Sequence, residues 1–192
     1  MNEVNKPWVH DLLQIDPALL TSGCGAEPHW IQETLIVCPW VVVRRAQTSF
    51  GRIAVGVRGA TRSERWAAFC DGSQVRTTVR PEQLLASSCR TSALRTLLEV
   101  RERWAALALS WWPAGSVGFE LASGRRVTTE ASDLDLVIRG AMLNTPILAP
   151  DAVDAMRKEM EVNVFGMASI FRRLLRFSLR TETARLSICF QW

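Results

Sequence analysis

Apolar and polar positions alternate through FGRIAVGVRG (50–59), which puts Ile53, Val55 and Val57 on one face of a predicted strand. The run LIVCPWVVVRR (35–45) is apolar and β-branched, and predicts a second strand despite Pro39. WAAFCDGSQV (66–75) is centred on Asp71-Gly72, a pair that favours a tight hairpin. Residues 1–80 therefore read as a small β-rich domain, with Gly59 closing one strand and Arg62, Glu64 and Arg65 as solvated turn residues. A linker-like patch follows around Arg80-Pro81 and Ser87-Ser88, and the period then changes. Leu94, Leu97, Val100, Trp104 and Leu107 recur at helical spacing, Ser92 stands at the N-cap position, and Pro113 sets the limit. Residues 81–139 form a second region. Residues 140–192 form a tail of helical composition, in which Phe171, Leu174 and Leu175 oppose a cluster of arginines.

With 192 residues, 48% of them apolar and 22% charged, the chain has the composition of an ordinary globular protein. The net charge of +4 points to nucleic acid only until it is mapped. Arg172, Arg173, Arg176, Arg180 and Arg185 face one acid, Glu182, across residues 167–192, so the tail carries the whole excess. No spread basic face remains for a phosphate backbone, and nucleic-acid binding is set aside. A basic amphipathic helix can lie on an anionic membrane, but more often it docks its apolar side on its own domain. The densest apolar stretch, 104–114, is too short to span a bilayer and contains Pro113. The first residues lack the apolar core of a signal peptide, so a cytoplasmic protein is expected. Cysteines 24, 38, 70, 89 and 189 show no C-x-x-C pairing, and the only histidines are His10 and His29. Reduced thiols fit this pattern better than a disulfide framework or a zinc site.

The segment with chemistry in it runs from Trp112 to Arg139 and ends in SDLDLVIR. Strict alternation there puts Asp133, Asp135 and Val137 on one side of a strand and Leu134, Leu136 and Ile138 on the other. Carboxylates two residues apart on a strand face lie about 6.5–7 Å apart at Cα. Their oxygens can converge on one Mg²⁺, or clamp two ions roughly 3.5–4 Å apart. Hard oxygen donors suit magnesium, which keeps several waters and completes its shell with substrate phosphates. Without a cation, like charges side by side on a half-buried strand repel. The doublet alone therefore leaves two readings, a metal site or an exposed edge strand whose aspartates face water. Upstream, Gly115 and Gly118 free the backbone for close approach, and Ser116 adds a hydroxyl beside exposed N–H groups. Such a turn can hold a phosphate without a basic residue.

A Gly-Ser turn followed by a D-x-D strand with a leading serine resembles the nucleotidyltransferase superfamily. More narrowly, GSVGFELASG with SDLDLVIR is similar to the phosphoribosyl-dephospho-CoA transferases of malonate decarboxylase, its holo-acyl-carrier-protein synthases. The same order holds upstream, in HDLL (10–13), PWVVVRR (39–45), IAVGVRG (53–59), RSERWAAF (62–69) and the helix through Trp104. The resemblance covers about residues 7–139. It implies an α+β or α/β fold, a β-rich domain followed by a nucleotidyltransferase-type sheet with helices. It also implies transfer of a phosphoribosyl-dephospho-CoA group from triphosphoribosyl-dephospho-CoA to a serine of the decarboxylase's acyl-carrier subunit, with release of pyrophosphate. Asp133 and Asp135 would be the catalytic metal ligands for Mg²⁺ or Mn²⁺, and Gly115, Ser116 and Gly118 the donor-binding turn. Arg139 and Arg58 are weaker phosphate-contact candidates, each also readable as a solvated arginine.

Members of that family continue with a further strand bearing a third carboxylate, a pattern that residues 140–192 do not repeat. The later acids, Asp151, Asp154, Glu159, Glu161 and Glu182, sit in no alternating apolar strand. Residues 140–172 instead resemble an internal piece of a short-chain dehydrogenase, with Asn163 at that family's asparagine position. The glycine-rich cofactor turn is missing and the chain has no tyrosine, which excludes dehydrogenase activity. The core then reads as truncated, by fusion or frameshift. The alternative to an active transferase is an impaired remnant that retains binding alone.

Overall fold

The computed structural model describes residues 7–17, 20–22, 26–61, 63–85, 88–105, 111–139, 153, 154, 157 and 186–191. The chain divides into two compact units, Met1–Leu85 with Val117–Val127, and Ala86–Ser116 with Thr128–Trp192. Helices combine with an antiparallel sheet and a smaller mixed one, the α+β arrangement expected. No described helix is long and apolar enough to cross a membrane.

The first unit is built on β1 (Leu12–Ile15), β2 (Thr21–Ser22), β3 (Trp40–Val43), β4 (Arg52–Arg58), β5 (Arg65–Asp71) and β6 (Val75–Val79). These form one antiparallel sheet in the order β2-β5-β4-β3-β1-β6. The alternation that predicts β4 holds, with Ile53, Val55 and Val57 buried together. Period two also divides β3. Val41 and Val43 join Ile31 and Leu35 in one core cluster, whereas Trp40 and Val42 pack with Leu12, Leu84 and Phe119 in another.

Two strand expectations change. Residues 35–37 end a helix, α1 (Trp30–Val37), and only from Trp40 does the chain become a strand. Pro39 disfavours helical backbone at Cys38, which turns the chain from one element to the other. Asp71-Gly72 does not join a hairpin, because β5 and β6 do not pair. The Asp71 side chain accepts from Ser73 N, and Gln74 Oε1 accepts from Asp71 N. This capping box closes a 3₁₀ turn over Gly72–Gln74, and the chain then crosses to the far edge beside β1.

The second unit holds α2 (Ser92–Trp104), β7 (Trp111–Pro113), β8 (Leu134–Arg139), β9 (Leu186–Gln191) and the first residues of α3 (Gly115–Ser123). The predicted helix is present with Leu94, Leu97, Val100 and Trp104 buried, while Leu107 lies outside the described residues. Its N-cap is Thr91, one residue before the expected Ser92. Trp104 meets Trp111 edge to face at 5.2 Å between ring centroids. Pro113 falls within β7 and pairs with Leu136. The tail, expected to be helical, is helical at its described residues Val153, Asp154 and Arg157 and also supplies a strand: β9 runs parallel to β8. The rest of residues 140–185, including the second helical stretch (167–180), the arginine cluster and Asn163, lies outside the described residues.

Candidate active site

β8 is the central strand of its sheet, between antiparallel β7 and parallel β9. Asp133 immediately precedes it and Asp135 is its second residue, both half-buried. Leu134 and Leu136 are fully buried and fix the face, since a one-residue slip would drive both aspartates into the core. The central position excludes the reading of the doublet as an exposed edge strand.

Gly115 of the Gly-Ser pair lies against Asp135. Pro113 pairs with Leu136, and Ala114 N donates to Asp135 O at 2.8 Å. The next residue, Gly115, has φ +58°, in the region that favours glycine. A Cβ there would lie 2.9 Å from the Asp135 Cγ and closer still to Oδ2. Only glycine leaves space for the carboxylate to lie over the turn. α3 opens at this point, so the pair expected in a loop is the start of a helix. Ser116 is buried on its first turn, and Gly118 lies within the helix rather than at the turn. N–H groups at a helix start have no partner within the helix and favour an anion.

Gly115, Ser116, Asp133 and Asp135 thus gather in the second unit. Arg58 ends β4 in the first unit. Arg139 ends β8, and its side chain lies outside the described residues. Among the described residues, no hydrogen bond or ion pair engages the Asp135 carboxylate. Nor do three His, Cys, Asp or Glu residues cluster among them as a closed metal cage. An open pair of hard oxygen donors fits a magnesium ion that keeps its waters and shares its shell with phosphates.

Two features escape sequence reasoning. Ser187 of β9 is exposed and stands in register with Asp135, and the alternation within LSICFQ was its signal. The other is Glu130. Its Oε2 accepts from Ser92 N at 3.0 Å and from Arg95 Nη2 at 3.1 Å. The Ser92 N–H, with Arg95 beside it, holds the Glu130 carboxyl below its ordinary range. Nothing local marks Glu130 in the sequence, because its partners are 35 and 38 residues away.

Two family models match the chain. The phosphoribosyl-dephospho-CoA transferase MdcG N-terminal domain matches residues 8–81, and the C-terminal domain of the same transferase matches residues 79–165. A protein of Pseudomonas fluorescens named phosphoribosyl-dephospho-CoA transferase is 42% identical over 76% of this chain and 68% of its own length. The chain belongs to the phosphoribosyl-dephospho-CoA transferase family. Phosphoribosyl-dephospho-CoA transferases of a second Pseudomonas fluorescens strain and of Pseudomonas syringae pv. tomato are 40% and 39% identical, over 74% and 77% of this chain and 69% and 71% of their own lengths. No solved structure matches the chain. The resemblance read from motifs stops at Arg139, whereas the transferase match continues to residue 165. It therefore takes in much of the segment that resembles a dehydrogenase fragment.

Proposed function

We propose that this chain transfers a phosphoribosyl-dephospho-CoA group from triphosphoribosyl-dephospho-CoA to a serine hydroxyl of an acyl-carrier protein, the carrier subunit of malonate decarboxylase. The observation that carries this reading is the match to both domains of the transferase family, ending well beyond the D-x-D strand. In the reaction, the serine oxygen bonds to the phosphorus nearest the ribosyl group. The bond from that phosphorus to the outer two phosphates breaks, pyrophosphate leaves, and the serine proton is lost.

The chemistry is that of a nucleotidyltransferase. Asp133 and Asp135 hold Mg²⁺ (or Mn²⁺), which when bound neutralises charge on the triphosphate. The turn at Gly115 and Ser116 takes phosphate oxygens on the N–H groups that open α3. Gly118, Arg139 and Arg58 stand as further donor-contact candidates from the sequence alone. The catalytic work is positioning and electrostatics, since the reaction asks little covalent chemistry of the protein.

Intact mass spectrometry of the apo carrier subunit tests the proposal, after incubation with this chain, Mg²⁺ and triphosphoribosyl-dephospho-CoA. A gain of one phosphoribosyl-dephospho-CoA group is expected, and none with the double variant Asp133→Ala/Asp135→Ala. An unmodified carrier beside a folded chain would overturn it.

A further inference from the structure

The segment that leads into Asp133 is tied to the N-terminus of α2 by side chains of both partners. Arg90 Nη2 donates to Thr128 O at 3.0 Å and to Thr128 Oγ1 at 2.9 Å. Thr91 Oγ1 donates to Thr128 Oγ1 at 3.3 Å, in a spot where both threonines are buried. Ser92 Oγ donates to Glu130 O at 2.9 Å, while Ser92 N and Arg95 Nη2 both donate to Glu130 Oε2. Beyond Glu130 a turn closes: Thr129 N donates to Ser132 Oγ at 2.9 Å and Ser132 N to Thr129 O at 3.0 Å. Asp133 is the next residue.

The first N–H groups of a helix have no partner within it, and a carboxylate suits both those donors and the positive end of the helix dipole. Thr91, at the N-cap of α2, forms no side-chain cap of its own. Glu130 supplies the acceptor from 38 residues away. The helix it grips is a firm reference, because Leu94, Leu97 and Val100 are fully buried. Asp135 needs no such device, being held by the β8 ladder and by Ala114 N. Asp133 lies outside the ladder.

We infer that Glu130 is a positioning residue. By docking segment 128–132 on α2, it sets where Asp133 presents its carboxylate beside Asp135. The inference rests on the reading of these two aspartates as a divalent-cation pair. It predicts that breaking the clamp weakens cation binding, over and above any loss of stability.

The test is Mn²⁺ binding to the full chain without donor, followed by electron paramagnetic resonance of the free ion and paired with thermal melting of each variant. All binding is measured well below the lowest melting temperature. Glu130→Ala is expected to weaken Mn²⁺ binding about tenfold, the usual scale for losing a group that orients a ligand. Glu130→Gln keeps an oxygen acceptor for Ser92 N and is expected to recover most of the affinity. Arg95→Ala removes the exposed donor to Glu130, along with a bond to Cys89 O, leaves the helix core intact, and is expected to weaken binding in the same direction. Wild-type affinity in Glu130→Ala and Arg95→Ala, even with lowered melting temperatures, would overturn the inference and reduce the clamp to a structural role. Equal failure of the wild type and Asp133→Ala/Asp135→Ala to bind Mn²⁺ would instead bring down the metal reading, and this inference with it.

Discussion

Replacing Gly115 by alanine puts the smallest possible perturbation at the point where turn and carboxylate meet. Two costs can be separated. The first is conformational, because φ +58° places an L-residue in the left-handed region, at roughly 1–2 kcal/mol. The second is steric: the new Cβ would meet the Asp135 Cγ at 2.9 Å and the Asp135 Cβ at 3.1 Å, so the aspartate must turn away. Forcing it off its rotamer adds about 0.5–1.5 kcal/mol. Together they predict a loss of about 2–3 kcal/mol, which for a chain of this size lowers the melting temperature by roughly 5–10 °C. Gly124→Ala isolates the first cost, since Gly124 has φ +70° with nothing within 4 Å of its hypothetical Cβ. It is expected to lose about 1 kcal/mol of stability and no transfer activity. Gly115→Ala is expected to lose about 100-fold in carrier modification, the scale of a 1 Å misplacement at a reacting centre. The assays are thermal melting and initial rates of carrier mass gain below both melting temperatures. If the two variants behave alike in both, Asp135 is not confined by Gly115 and the site's geometry has been misjudged.

Ser187→Asp adds an oxygen donor one strand over from Asp135, in register with it. It is expected to raise Mn²⁺ affinity about tenfold and, because like charges on neighbouring strands repel, to lower the melting temperature until the ion is added; unchanged affinity would show that Ser187 faces away from the pair. Cys38 and Cys70 are buried, Cys89 is exposed, and burial pushes the Cys70 thiol up to about 11. Iodoacetamide at pH 8 should therefore label Cys89 and spare Cys70 in the native chain, and peptide mass spectrometry showing equal rates would contradict that burial. The Glu130 carboxyl lies below its ordinary value of 4.5, so its contribution is present above that value and lost as pH falls through the folded one. The melting-temperature gap between wild type and Glu130→Gln should be open at pH 7 and narrow as the pH falls below 4.5; a constant gap would sink the assignment.

Elements whose burial is periodic were legible in the sequence, because their environment is one-sided over several residues. That applies to β4, to the buried stripe of α2, and to β8 with its aspartates opposite Leu134 and Leu136. Short-range composition misled where side chains or chain breaks outweigh propensity. Ile36 and Val37 look like strand residues, yet they end α1 with 76% and 67% of their surface exposed. They turn helical because the element is fixed by Ile31 and Leu35, and it ends only where Pro39 forces it to. Asp71-Gly72 failed as a hairpin because Asp71 and Gln74 side chains satisfy the backbone of a different turn. The order of strands in the first sheet, and the pairing of β9 with β8, depend on contacts between distant residues that no local pattern encodes.

The candidate site joins two kinds of constraint, and they should fail differently. Asp135 and Gly115 are placed by backbone: the pairing of β7 with β8 and one main-chain bond leave a gap that only a missing Cβ can fill. A change there either fits or does not, so activity should drop in one step with any side chain at 115. Asp133 lies just outside the ladder, at the end of a segment held by Arg90, Thr91, Ser92 and Arg95. Those bonds are several and individually modest, and the exposed ion pair between Arg95 and Glu130 is screened by solvent. Removing them singly should weaken the site in increments. A graded series along the clamp beside an abrupt loss at Gly115 is the pattern expected of a site whose two carboxylates share a cation but are held by different means.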